Sequence, residues 1–477
     1  MSSSNPNEIA EAFFTLVPYD VCLFRDYRPF NMSDNQHANS GYEWPSNFAG
    51  MLKTAVLFEI LNQHNLTLDQ IRNQQIQQHL RLIGYQANDI NAPLRPDINA
   101  PLRPDFCVKL VIYIRFNEEG EIQQCYFPMP RDIFKWDSYI ASCRPRVCER
   151  PVTKSLPGRG TPRASDPGMM RGCLQSLPPN DNALRDYITK KVKPSWILPR
   201  LPLQIVFSPE NFDVKPIADQ YSHLDIQGAC HYLKGNTPPQ DNYCGHFFVK
   251  ENRAQIFIKD RQRKYVGDDA LFSVRYHRLA PYFGYGMIVT YPKVHKDWIE
   301  QFQIGKLGGE MKTTRIRFFN ELPKMLVTLW ERQRQIITNI NDSAEKSSNK
   351  PKRIKIYFLS PVVITALNTE EITQSIQLAI QDPEHQLEDL TIEGMFLGKP
   401  MILGGYDLAN DREKPRTLCY PAGSVLHLSY SKGKLKSPLD LHLPFQYSSN
   451  PHYSPENGFG AFLIANECSP KKITKGG

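Results

Sequence analysis

The apolar residues of this chain fall in strand-length pieces that end at glycine or proline, and only three segments carry the spacing of a helix. Runs of strands broken by so few helices predict an α+β fold rather than a repeating βαβ unit. Short apolar runs, Phe13-Phe-Thr-Leu-Val17 and Val21-Cys-Leu-Phe24, flank Pro18 as a buried strand would. Phe106-Cys-Val-Lys-Leu-Val-Ile-Tyr-Ile-Arg-Phe116, the turn Asn117-Glu-Glu-Gly120 and residues 122–127 read as a β-hairpin. Residues 253–260, 271–277 and 284–291 read as three more strands, and the glycine turn at 307–309 leads into a basic strand ending at Phe319.

The first helix follows Pro45, where Phe48, Leu52, Val56 and Ile60 recur every fourth residue. The second is marked by Leu322, Met325, Leu326, Leu329, Trp330, Ile336, Ile337 and Ile340 on one stripe. After a polar linker at 341–352 come a strand from Ile354, a helix at 370–380 and short strands punctuated by glycine.

With 477 residues the chain is long enough for roughly two to three domains, each with its own core. Proline, at 38 residues against 27 glycines, marks many stiff connections. A perfect octapeptide duplication at 89–104 is one of them: Asp89-Ile-Asn-Ala-Pro-Leu-Arg-Pro96 is repeated from Asp97 to Pro104. Two proline-rich copies have nothing to stack, so this is a tolerant surface loop and not a solenoid.

The formal net charge of +8 is unevenly placed. Residues 131–200 hold 14 Lys+Arg against 6 Asp+Glu, and the rest of the chain is balanced at 43 against 43. This segment, with Arg144, Arg146, Arg150, Arg159, Arg163 and Arg171, reads as a basic, loop-rich insertion suited to a polyanion. The N-terminus lacks a charged start followed by an apolar core, and the apolar runs are far short of the ~20 residues a bilayer needs. A cytoplasmic location, with no membrane partner, is expected.

Ten cysteines without framework spacing then stay reduced. Cys230, His231, Cys244 and His246 have zinc-binding residue types but lack the usual two-to-four-residue gaps, so no metal and no cofactor are expected.

The signatures of catalysis are missing: no GxxxxGK[ST], HExxH, GxSxG or GxGxxG stands in its required context. Gly267-Asp-Asp269 lacks a second acidic partner and reads as a solvated turn. His37, in an N-terminal loop, is the best-placed acid–base residue for cleaving RNA, and a surface role is the simpler reading. Binding is better supported. Lys306, Lys312, Arg315 and Arg317 beside Gly308 and Gly309 combine charge with backbone N–H groups open to phosphate. Tyr27, Phe30, Trp44, Tyr406 and Phe459 offer surfaces for stacking bases, or for ordinary packing.

Pro18-Tyr-Asp-Val-Cys-Leu-Phe-Arg-Asp-Tyr-Arg-Pro-Phe30 resembles the opening of the family of subunit three of the Cmr complex, the type III-B CRISPR effector. Residues 45–55 resemble the first helix of its RAMP superfamily. Leu271-Phe272, Leu307-Gly-Gly-Glu310, Tyr357-Phe-Leu-Ser-Pro361, Gly405-Tyr-Asp407, Pro421-Ala-Gly-Ser-Val425 and Gly458-Phe-Gly460 follow in the family's order.

The resemblance implies two ferredoxin-like (RRM-like) domains, at 1–265 and 266–477, the first carrying the repeat and the basic insertion. It implies no catalysis. The chain is expected to hold the 5′ handle of the CRISPR RNA and to dock against the large polymerase-like subunit and the backbone subunits, meeting target RNA only indirectly. Arg25, Arg28, Lys53, Gly308, Gly309, Gly458 and Gly460 are carried over as handle-binding or site-shaping positions. The alternatives are a metal-independent RAMP endoribonuclease that matures CRISPR RNA, and the equivalent subunit of a sister type III complex.

Overall fold

Val108, Leu110, Ile112, Ile114 and Phe116 are buried while the residues between them are not, the period-two pattern of a strand packed hardest on one side. The strand belongs to a computed structural model that describes residues 8–24, 37–39, 42–67, 70, 83, 105–136, 139–142, 194–195, 206–207, 215–216, 218, 222–245, 247–256, 271–308, 312–346, 351–363, 369–404, 406–407, 412–436 and 453–467. The octapeptide repeat, Gly267-Asp-Asp269, His246, Arg25, Arg28, Gly309 and the six insertion arginines from Arg144 to Arg171 lie outside these residues.

The strands of the two main sheets and of a small third one are β1 (Ile9–Pro18), β2 (Cys107–Phe116), β3 (Ile122–Pro128), β4 (His223–Asp225), β5 (Tyr243–Cys244), β6 (Phe248–Ile256) and β7 (Leu271–Leu279), then β8 (Phe283–Pro292), β9 (Ile304–Leu307), β10 (Lys312–Phe319), β11 (Lys352–Phe358), β12 (Thr391–Phe396), β13 (Val425–Tyr430) and β14 (Phe462–Asn466). The helices are α1 (Pro45–Gln63), α2 (Ile226–Leu233), α3 (Lys296–Glu300), α4 (Lys324–Lys346) and α5 (Thr369–Ile380). This is a mixed α+β architecture.

Eight strands form the first sheet in the order β5-β4-β3-β2-β8-β1-β10-β9, each pair antiparallel. β1 lies inside it and is buried on both sides. Ala12, Phe14 and Leu16 pack with Phe48, Leu52, Val56 and Ile60 of α1, whereas Phe13 joins Leu110, Ile112, Leu326 and Leu329 on the opposite face. The second sheet runs β12-β13-β11-β14, again antiparallel. α5 covers one of its faces through Ile372 and Ile376. The other face, with Tyr357, Val425 and Leu463, shares a core with α2, α4 and the first sheet. α2 and α4 are therefore packed between the two sheets.

The division expected at residue 265 falls inside the first sheet, because β8, β9 and β10 complete it from the C-terminal side. The start of the basic segment also differs from its sequence reading. Ile133–Trp136 pairs with Tyr139–Ser142, and Asp132 and Ile133 are fully buried, so the start of this segment, at 131–133, belongs to the folded body. His37, expected in a loop, opens a three-residue strand, His37–Asn39, that runs parallel to β7 with His37 opposite Ser273.

Asp132 anchors a buried polar cluster joining the two sheets. Its carboxylate accepts from Lys355 Nζ at 2.7 Å and from Tyr232 O–H at 2.8 Å, and lies 3.1 Å from His427 Nε2. Tyr357 O–H, on β11, donates to the Pro128 carbonyl at the end of β3. Among the described residues no helix is long and apolar enough to cross a membrane.

Space, rather than backbone conformation, fixes one glycine. A Cβ on Gly286 would lie 2.5 Å from Phe13 Cζ and 2.9 Å from Ile114 Cγ2. Gly286→Ala is expected to cost about 1–3 kcal/mol through overpacking, read as a lower urea midpoint. An unchanged midpoint would mean that the Phe13 ring moves aside freely.

Candidate nucleic-acid interface

Trp44, the residue before α1, is extended, and Pro45 starts the helix without needing a backbone donor. No side chain caps this end and no acidic residue occupies the first turn, so the positive end of the helix dipole has no nearby carboxylate on its own helix. Gly458 sits directly against it. With φ at +87°, Gly458 adopts a left-handed conformation, and a Cβ there would approach Pro45 Cβ to 3.0 Å and Val108 Cγ1 to 3.4 Å. The turn is held by Val108 N–H donating to the Glu456 carbonyl at 3.0 Å and by Gly460 N–H donating to the Pro361 carbonyl at 2.9 Å. Trp44, Tyr453 and Phe459 are buried together beneath it, so Trp44 and Phe459 pack the turn rather than offer it a stacking surface.

Lys53, two turns into α1, is half-buried near the same loop. Burial pushes its ammonium down to about 8. The neighbouring Cys107 and Glu456 partly oppose this, and Lys414 adds to it. Lys53 is thus charged at neutral pH and desolvated, the state in which an added anion gains most.

A second glycine turn follows β9. Gly308 has φ +81°, and a Cβ there would lie 2.5 Å from the Leu23 carbonyl oxygen. That close approach seats the β9–β10 turn on residues 21–24, the segment that precedes Arg25 in sequence. Phe24 stacks on Phe48 of α1 with ring centroids 6.2 Å apart. Lys312 Nζ, just after the turn, lies 5.4 Å from the Tyr276 ring centroid. The Gly458 turn thus lies against the start of α1 with Lys53 nearby, while the Gly308 turn, followed by Lys312, is seated on residues 21–24.

The remaining basic candidates lie elsewhere. Ile304 faces Arg315 and Lys306 faces Thr313 across β9 and β10, and alternation puts all four with Arg317 on the sheet face away from α1. Lys306 Nζ donates to Thr313 Oγ1 at 2.9 Å, and Arg317 Nη1 donates to the Gly120 carbonyl at 3.0 Å. Among the described residues no group of three His, Cys, Asp or Glu could hold a metal, and His246, one of the four zinc-type residues, lies outside them. Burial pushes the Cys244 thiol up to about 11, which keeps it protonated. Sequence reasoning did not point to Cys107, Lys414 or Glu456 as neighbours of Lys53, because all three are distant from it in the chain.

The family model of CRISPR-associated protein (Cas_Cmr3) matches residues 14–467. The chain belongs to the Cas_Cmr3 family. The match takes in both glycine turns and both sheets except the first five residues of β1. No curated protein matches the chain. Among solved structures, a chain from "Cryo-EM structure of the Type III-B Cmr-beta bound to cognate target RNA and AMPPnP, state 1" is 13% identical, with a TM-score of 0.35 over 87% of this chain and 86% of that one. A chain from "Cryo-EM structure of the Type III-B Cmr-beta bound to cognate target RNA" is 12% identical, with the same TM-score and coverage. A chain from "Crystal structure of Csm3-Csm4 subcomplex in the type III-A CRISPR-Cas interference complex" is 11% identical, with a TM-score of 0.29 over 95% of this chain and 98% of that one.

Proposed function

We propose that this chain is a non-catalytic, RNA-binding subunit of a type III-B CRISPR effector complex, located in the cytoplasm, that holds the single-stranded 5′ handle of the CRISPR RNA and docks against the large polymerase-like subunit and the backbone subunits. Membership of the Cas_Cmr3 family supports the complex. The observation that carries the handle reading is the gathering of two left-handed glycine turns and two lysines around the N-terminal half of α1, whose uncapped end favours phosphate. Arg25 and Arg28, which follow Phe24 in sequence, are assigned to the same handle site, with Gly309. The insertion arginines from Arg144 to Arg171 are assigned an accessory, charge-driven role.

Strand order supports two ferredoxin-like domains. β1-α1-β2-β8-α3-β10 gives the order β10-β1-β8-β2, and β11-α5-β12-β13-β14 gives the mirror-written order β12-β13-β11-β14. Both equal the 4-1-3-2 arrangement of a split βαβ unit, the second lacking one helix among the described residues. In this reading the first domain closes at β10, and residues 117–282 are an insertion between its second and third strands.

The test is fluorescence anisotropy with handle RNA. Reversing Arg25 and Arg28 to Glu is expected to weaken binding and to flatten its salt dependence, because each lost phosphate contact on a single strand removes about 0.7 from the slope. Unchanged affinity and slope would refute the reading. Lys53 supplies a further check. A phosphate beside its ammonium raises a pKa that starts near 8, so handle binding at pH 8.5 is expected to take up protons, and Lys53→Gln to remove that uptake. Calorimetry in two buffers of different ionisation enthalpy measures it, and buffer-independent heats with the unaltered chain would contradict the placement.

A further inference from the structure

The outer edge of the first sheet is incompletely covered. β9 has four residues and pairs only with Lys312 to Arg315 of the eight-residue β10. Beyond that ladder Ile316 N–H reaches the Gln303 carbonyl at 2.8 Å, after which the chain turns away. Backbone groups alternate in direction along a strand, so the Phe318 N–H and carbonyl point outward, on the side away from β1. No strand lies there among the described residues. A cleft of about 500 Å³ opens at this point, lined by Tyr19, Phe302, Ile304, Arg315, Arg317 and Phe318 among others. Tyr19 and Ile304 are 64% and 59% exposed, unusual for apolar side chains beside a free sheet edge.

We propose that residues 316–319 of β10 receive an extended segment of a second polypeptide as an added strand, with an acidic side chain of that segment set beside Arg315 and Arg317. Strand addition gives the outward backbone groups of Phe318 their partners. Alternate side chains of the guest then meet Tyr19 and Ile304 on one face and the Phe302–Phe318 side on the other. The charges favour a polypeptide over RNA. Glu300 also lines the cleft, and the carbonyl that Arg317 holds belongs to Gly120, in a turn with exposed Glu118, Glu119 and Glu121. A phosphate backbone would run past these carboxylates, whereas a strand with one acidic side chain meets the arginines and leaves the glutamates in water. The identity of the guest as a neighbouring protein of the effector complex rests on the function proposed for the chain.

The test uses the full chain assembled with the CRISPR RNA and the other protein subunits of its complex, with Tyr19 replaced by the photocrosslinker p-benzoylphenylalanine. Irradiation is expected to join this position to a second polypeptide. Amide exchange at Phe318 is expected to slow roughly tenfold or more on assembly. Arg315→Glu is expected to reduce the crosslink without changing handle affinity, and because Arg315 is exposed this variant keeps the fold. Crosslinks to RNA, crosslinks to the chain's own residues 1–7 or 468–477, or unchanged exchange at Phe318 in an assembled complex would each overturn strand addition alone. A chain that does not enter the complex would overturn the effector reading and, with it, this one.

Discussion

Asp132→Ala is expected to destabilise the protein by about 3–5 kcal/mol, a large effect for a single substitution, because it strands the fully buried Lys355 ammonium without its carboxylate. Burial alone would raise the Asp132 carboxyl, but Lys355 and His427 outweigh it and hold the group well below the usual carboxylate range. Burial and the Lys355 charge likewise lower His427, against the pull of Asp132. Both groups have depressed folded-state values, so both contribute stability that is present at high pH and lost on acidification. The loss begins near pH 6.5, where an unfolded histidine takes up its proton, and steepens below about pH 4 as an unfolded aspartate does. Urea midpoints from pH 8 to 3 measure this. Asp132→Asn combined with Lys355→Met removes both charges and is expected to recover much of the stability lost in Asp132→Ala, since a buried pair replaced together is often nearly neutral. A midpoint insensitive to Asp132→Ala would show that the cluster does not join the sheets.

Replacing Lys53 and Lys312 together by alanine is expected to weaken handle RNA binding on the order of 10- to 100-fold and to lower the salt slope by about 1.4. Lys53 lies on α1 and Lys312 lies beside the Tyr276 ring after the Gly308 turn, so each would supply a separate phosphate contact and the effects are expected to add. Arg315→Glu, on the other sheet face, leaves affinity and slope in place. Equal losses from the two substitutions would assign handle binding to general surface charge instead of to this site.

Local pattern made much of the fold legible. Four-residue spacing marked α1, and Asn117-Glu-Glu-Gly120 marked the β2–β3 turn, because both are set by neighbours in sequence. Long-range pairing was not legible. Nothing local indicates that β8, more than 150 residues after β2, inserts between it and β1. Charge alone predicts exposure for Asp132, within the basic segment, and only the distant partners Lys355, Tyr232 and His427 allow it to be buried. The site was half legible. Gly308 and Gly458 were found through motif order, but their need for glycine comes from Leu23 and Pro45, far away in sequence. The separation of Lys312 from Arg315 and Arg317 was readable in principle, since positions an odd number apart on a strand face opposite sides.

The central claim, that the handle lies across the N-terminal half of α1 between two glycine turns, is tested most directly by mapping photocrosslinks from 4-thiouridine placed in the handle of the CRISPR RNA within the assembled complex. Crosslinks are expected in residues 453–461, in the first half of α1 and around Gly308 and Lys312. Crosslinks confined to the Arg315–Arg317 face, or none to this chain, would contradict it.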